Sequence, residues 1–90
     1  MTLIRKKITI KNKQGLHARP AALFVQIANK FDSHITVMRD EERVNGKSIM
    51  GILMLGAENG STIEIEAEGD DAPLAVAELE KLVTTEEDQG

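Results

Sequence analysis

His17 and Arg19, in the stretch GLHARPAALF from Gly15 to Phe24, are the residues whose types and spacing first suggest chemistry. The histidine stands two residues before a guanidinium, just where an apolar helical pattern begins. Pro20 fits only the first turn of that helix, where a missing N–H costs nothing. The helix is therefore predicted to open near Ala18, with His17 at or beside its N-cap. At a helix mouth the free backbone N–H groups and the dipole favour an anion. The amides from Ala18 onward and the planar donor fork of Arg19 suit phosphate oxygens. Gly15 lets the preceding loop turn tightly and leave the ring uncovered.

A single histidine is more commonly an ordinary surface residue than a reacting one, so its neighbours must decide. Residues 1–31 contain no Asp or Glu. A Ser-His-Asp hydrolase would need a nucleophile and an acid converging on this ring, and the sequence shows no sign of either. A zinc site needs three or four ligands, but there is no cysteine and His34 is the one other imidazole. What remains is a histidine that carries the phosphoryl group itself. Neutral imidazole is nucleophilic near pH 7, because its unperturbed pKa is about 6.5. On phosphorus it is also a good leaving group once protonated, so the modification is reversible and suits a carrier.

The elements that must hold this ring follow from periodicity. Ile4, Ile8 and Ile10 alternate with Arg5, Lys7, Thr9 and Lys11, a half-buried strand in which Lys6 is off the pattern. Asn12 to Gly15 is turn chemistry. Leu23, Phe24, Ile27, Ala28 and Phe31 fall on one helical face. His34 to Met38 reads as a second strand, Asp40 to Glu42 as a turn, and Arg43 to Asn45 as a third strand. Asn45-Gly46 is a turn, Ser48 an N-cap, Ile49 to Leu55 a short helix, and Gly56 its closure. Ile63, Ile65 and Ala67 alternate with Glu64, Glu66 and Glu68 in a fourth strand. Asp70 or Asp71 caps a last helix with Pro73 in its first turn and Val76, Leu79, Leu82 and Val83 inward. Thr84 to Gly90 is a polar, frayed tail. The order βαββαβα predicts a single α+β domain over residues 1–90, a sheet covered by helices on one side.

Composition agrees. Ninety residues, 41% hydrophobic and 29% charged, make one modest globular core. The start carries no apolar stretch of signal-peptide length, and Ile49 to Ala57 is far too short to span a membrane. A cytoplasmic location is expected. The net charge of −4 hides a division: residues 1–31 carry seven basic side chains (+7), and the rest carries four basic and fifteen acidic ones (−11). Segregated solvated faces are the bland explanation, and an anionic ligand or acidic partner at the His17 end is the sharper one. Nucleic acid is disfavoured, because Phe24 and Phe31 are the only aromatics and both lie on an apolar helix stripe.

GLHARPAALF resembles the active-site segment of HPr, the histidine-containing phosphocarrier family of the bacterial phosphoenolpyruvate-dependent phosphotransferase system. NGKSIMGILMLGA, from Asn45 to Ala57, resembles that family's second signature, and GSTIEIEAEGDDA its last strand and helix start. The resemblance covers roughly residues 3 to 84. It implies an open-faced β-sandwich, a four-stranded antiparallel sheet under three helices. It also implies phosphorylation of His17 at Nδ1, with Arg19 contacting the phosphoryl group, and no metal or cofactor. Phosphate would arrive from phosphorylated enzyme I and leave to a histidine on an enzyme II A domain. Family relatives without the histidine act only as regulators, and this sequence keeps it.

KSIMG further resembles the serine site modified by the ATP-dependent HPr kinase/phosphorylase, which would make Ser48 regulatory as well as a helix cap. The apolar residues from Ile49 to Leu55 outnumber what one face can bury. Ile49, Met50, Met54 and Leu55 are expected to dock partners, with methionine adapting to each. A monomer is the default state. Two other readings stand beside this one. The first is a regulatory binding module read through phospho-Ser48. The second is a small anion- or RNA-binding domain.

Overall fold

A computed structural model describes residues 2–86 of the chain. Among these, the elements run β1 (Leu3–Thr9), α1 (Ala18–Ala28), β2 (His34–Arg39), β3 (Glu42–Asn45), α2 (Ile49–Leu55), β4 (Thr62–Glu68) and α3 (Ala72–Thr84). The strands form one sheet in the order β1-β4-β2-β3, and every neighbouring pair is antiparallel. This is the expected four-stranded sheet with three helices on one side.

Register divides the sheet into two faces, because successive side chains point opposite ways. Ile8 lies opposite Ile63, Ile65 opposite Val37, and Ala67 opposite Ile35. All are buried against Phe24 and Ala28 of α1, Ile52 and Leu55 of α2, and Val76, Leu79 and Val83 of α3. The other face pairs Arg5 with Glu66 and Lys7 with Glu64 across β1 and β4. β2 runs one residue further than its sequence pattern, through Arg39, and the hairpin turns on Asp40 and Glu41 alone. Asp40 takes φ +55°, a left-handed conformation that aspartate tolerates better than most residues.

Lys6, off the strand's alternation, sits opposite Ile65 on the helix-covered side, and its ammonium reaches Glu80 of α3 at 2.8 Å. A long apolar stem lets a lysine occupy such a margin while its charge stays wet. Thr84 closes α3 rather than starting a loose tail, and its hydroxyl donates to the Glu80 carbonyl at 2.7 Å. Residues 87–90 of the expected tail lie outside the described residues. No helix among the described residues is long and apolar enough to cross a membrane.

Asp71 occupies the N-cap position of α3, but its carboxylate does not cap that helix. It turns outward and accepts from the backbone amides of Asp32 (2.9 Å) and Ser33 (3.0 Å) and from the Ser33 hydroxyl. A capping aspartate and a cross-linking aspartate look alike in sequence; here the α1–β2 loop offers donors and takes the carboxylate. The Ser33 hydroxyl bond first, and the Asp32 amide next, hold the Asp71 carboxyl below the ordinary aspartate range. A depressed folded-state pKa contributes stability that is fully present above the unfolded value, about 3.9, and is lost as pH falls through the folded value. Asp71→Asn is therefore expected to lower the thermal midpoint at neutral pH. The gap to the parent should close as pH is taken below about 4. A gap that stays constant down to the acid limit would show that the carboxylate charge is irrelevant.

Candidate functional site

The loop between β1 and α1 is built around Asn12, whose residue is only 1% exposed. Its side-chain oxygen accepts from the Gln14 amide at 3.0 Å, and its carbonyl accepts from the Gly15 amide at 3.1 Å. These two bonds close the Asn12–Gly15 turn. Gly15 follows at φ +63°. A Cβ there would lie 2.7 Å from the Ala57 carbonyl oxygen and 2.8 Å from the Glu58 Cα, so only glycine allows the loop to lie this close to the loop after α2. Leu16, fully buried, then donates its amide to that same Ala57 carbonyl at 2.8 Å.

His17 comes next and is exposed, as its residue type and position suggested. It is the N-cap of α1, with extended backbone (φ −116°, ψ 158°), and its carbonyl accepts from Ala21. Its imidazole makes no capping bond and is left for other work. Ala18 has φ +42°, a conformation that a non-glycine keeps only where its surroundings enforce it. Here buried Leu16 precedes it and buried Pro20 follows it. Pro20 brings no N–H, so the amides the first turn can offer an anion beside His17 are those of Ala18 and Arg19. Arg19 is exposed, like His17.

The folded chain sorts the seven cations of residues 1–31. Arg5 pairs with Glu66 at 2.7 Å, Lys6 with Glu80 at 2.8 Å, and Lys30 with Glu78 at 3.2 Å. Lys7 lies opposite Glu64 in the sheet without forming an ion pair. Lys11, Lys13 and Arg19 likewise have no carboxylate within ion-pair distance among the described residues. These last three belong to the segment that carries His17. No group of three or more metal-ligating side chains comes together among the described residues.

Ser48 is the N-cap of α2, and its hydroxyl oxygen accepts from the Gly51 amide at 3.1 Å. The segment before it is tied to the far end of α1. Lys47 donates its ammonium to the Phe31 carbonyl at 2.6 Å, and the Asn29 side chain donates to the Lys47 carbonyl at 3.4 Å. Gly56 ends α2 in the left-handed conformation, and Arg39 donates to the Leu55 and Gly56 carbonyls at 3.1 and 3.3 Å.

α2 exposes Ile49, Met50 (65%), Leu53 and Met54 (68%), whereas Leu55 is 1% exposed. Leu55 is thus core, not a docking residue, and Leu53 joins the exposed patch in its place. Helical arithmetic carries the reason. At about 100° per residue, positions 49, 50, 53 and 54 share one side and 52 and 55 the other.

With this geometry in view, the chain matches the family described as PTS HPr component phosphorylation site over residues 4–85. It is 46% identical over 80 residues to the phosphocarrier protein HPr of Treponema pallidum, covering 89% of this chain and 91% of that one. It is 45% identical over 84 residues to the HPr-like protein Crh of Halalkalibacterium halodurans, covering 93% of this chain and all of that one. The crystal structure of HPr from Bacillus anthracis superposes with a TM-score of 0.89 at 46% identity, covering 92% of this chain and 99% of that one. The chain therefore belongs to the HPr family, the phosphocarriers of the phosphotransferase system.

Proposed function

We propose that His17 accepts a phosphoryl group from phosphorylated enzyme I and passes it to a histidine of an enzyme II A domain. The observation that carries this reading is an exposed imidazole at the N-cap of α1, free of any capping bond, in a segment whose three cations, Lys11, Lys13 and Arg19, lack carboxylate partners among the described residues. The neutral ring attacks phosphorus through Nδ1 as the P–N bond to the donor histidine breaks, and the donor ring departs neutral with its proton on the other nitrogen. Charge on the three phosphoryl oxygens is met by the Ala18 and Arg19 amides and by the Arg19 guanidinium. The return reaction uses the same groups, which suits a carrier. The chemistry calls on no metal or cofactor, and a cytoplasmic location fits these partners.

The exposed α2 patch of Ile49, Met50, Leu53 and Met54 serves as the docking surface, alongside the mouth of α1. One chain supplies every group involved, so a monomer suffices; HPr of Thermoanaerobacter tengcongensis, 56% identical over 84% of this chain, is a dimer in one solved structure. Sedimentation of this protein with and without enzyme I decides which state works. A second reading, regulation through phospho-Ser48, is favoured by Ser48's place at the head of that patch.

Incubation with phosphoenolpyruvate and enzyme I is expected to give acid-labile phosphate on His17, whereas phosphate on Ser48 would resist acid. His17→Ala should take up none while keeping its melting curve, because the ring is exposed and bonds nothing in the cap. Unimpaired transfer by folded His17→Ala would overturn the assignment. Arg19→Ala is expected to slow transfer roughly tenfold to a hundredfold, on the order of 1.4–2.8 kcal/mol of transition-state stabilisation. A loss of thermal stability with normal transfer kinetics would remove Arg19 from the site.

Phosphorylation of Ser48 by HPr kinase/phosphorylase is expected to weaken enzyme I binding without rearranging the backbone. The new dianion stands at the edge of an apolar patch that docking must dehydrate. The ammonium of the adjacent Lys47 is already committed to the Phe31 carbonyl. A penalty of about 2–3 kcal/mol corresponds to roughly 30- to 150-fold weaker binding. Ser48→Asp, with less charge, should reproduce part of it. Titrations at low and high salt check this, and parent-like binding by both forms would return Ser48 to its role as a cap.

A further inference from the structure

The segment leading to His17 is tied to the loop after α2 by three backbone hydrogen bonds and one bond from a side chain. Leu16 donates to the Ala57 carbonyl, Gly60 donates to the Ile10 carbonyl and Ile10 donates to the Ser61 carbonyl, all at 2.8 Å. The fourth bond runs from the side-chain amide of Asn59 to the Asn12 carbonyl at 3.2 Å. That carbonyl is the one that also closes the Asn12–Gly15 turn through the Gly15 amide. Asn12 is in turn fixed from behind, its amide donating to the Val83 carbonyl of α3 at 3.1 Å. A single carbonyl thus joins the turn that leads to His17, the loop after α2 and, through its own residue, the end of α3.

Asn59 is not needed to build its own loop. The segment from Glu58 to Ser61 is closed without its side chain, by the Ser61 amide on the Glu58 carbonyl at 2.9 Å and by the Glu58 amide on the Ser61 hydroxyl at 3.1 Å. Gly60 supplies the φ of +91° that the turn requires. Asn59 is also exposed, so truncating it opens no core cavity. Its amide is spent on the neighbouring loop alone.

From this placement we infer that Asn59 is a positioning residue for His17, holding the Asn12–Gly15 turn so that the imidazole and the amides of Ala18 and Arg19 face one phosphoryl group together. The inference rests on the reading of His17 as the acceptor. Displacements of about 1 Å in such an arrangement are enough to slow a reaction whose groups are otherwise intact. Removing the donor should leave the turn free to breathe. Reversing its polarity should be worse, because a carboxylate oxygen would then face the Asn12 carbonyl oxygen.

The test is steady-state phosphoryl transfer from enzyme I to the full-length protein and its Asn59 variants, with amide hydrogen exchange of Gly15 and Leu16 measured on the unphosphorylated proteins. Asn59→Ala is expected to lower kcat about threefold to tenfold, with KM for the protein unchanged within about twofold, an unchanged melting curve, and faster exchange at both amides. Asn59→Gln should recover most of the rate, and Asn59→Asp should fall below Asn59→Ala. The inference is overturned if Asn59→Ala keeps the parent kcat, if KM changes alone (which would make Asn59 a docking contact), or if the loss simply follows a lowered melting temperature. A parent protein that takes no acid-labile phosphate would overturn the phosphocarrier reading instead. The exchange rates would then decide the positioning role without any reference to transfer.

Discussion

Two loops that come from distant parts of the chain lie backbone to backbone, and the candidate site depends on how closely they do so. Gly15 permits the approach by having no side chain where the Ala57 carbonyl and the Glu58 Cα stand. The Leu16 amide then reaches the Ala57 carbonyl, and the Leu16 side chain fills the core. Because the backbone is extended at His17, a buried leucine is followed by an exposed imidazole. α1 begins immediately afterwards, through an alanine at φ +42° that lies two residues from buried Leu16 on one side and two from buried Pro20 on the other. The ring's position is therefore a consequence of anchoring on both sides, although the ring itself touches little.

Electrostatics follow from the same fold. The sequence carries its positive charge in its first third, but sheet register and helix packing neutralise much of it. Arg5 finds Glu66, which Arg43 also approaches at 3.5 Å, and Lys6 and Lys30 find glutamates on α3. These exposed pairs contribute little stability each. Their larger effect is subtractive, because they leave Lys11, Lys13 and Arg19 as the local excess of positive charge around His17. Excess positive charge favours anions over cations at that end.

α2 shows how a marginal helix is kept. Seven residues are too few to be stable alone, and a central glycine weakens such a helix by about 1 kcal/mol relative to alanine. The structure explains the glycine: a Cβ at Gly51 would stand 3.2 Å from the Asn45 carbonyl and from the Val44 Cβ, so the helix lies almost on β3. Ser48 closes one end, and Gly56 with Arg39 closes the other. Ile52 and Leu55 anchor the inner face, which leaves the outer face free to be apolar at the surface, where a partner can cover it.

Periodicity and turn chemistry in the sequence by themselves determined the order of elements, the helix mouth at His17, the caps of α2 and the two-layer architecture. These are local properties: the spacing of apolar residues, a proline that fits only a first turn, a serine and a glycine that bracket seven residues. Which partner a polar side chain takes was decided only by tertiary structure. Asp71 looked like a cap and became a cross-link to the α1–β2 loop, because Asp32 and Ser33 present donors there. Leu55 looked like part of a sticky surface and became core, because packing against the sheet selects one arc of α2. Asn12 and Asn59, forty-seven residues apart, meet because β1 and β4 pair and carry their loops side by side. A hydrogen bond across that distance leaves no trace in local spacing, since it depends on where the sheet brings the two chain segments together.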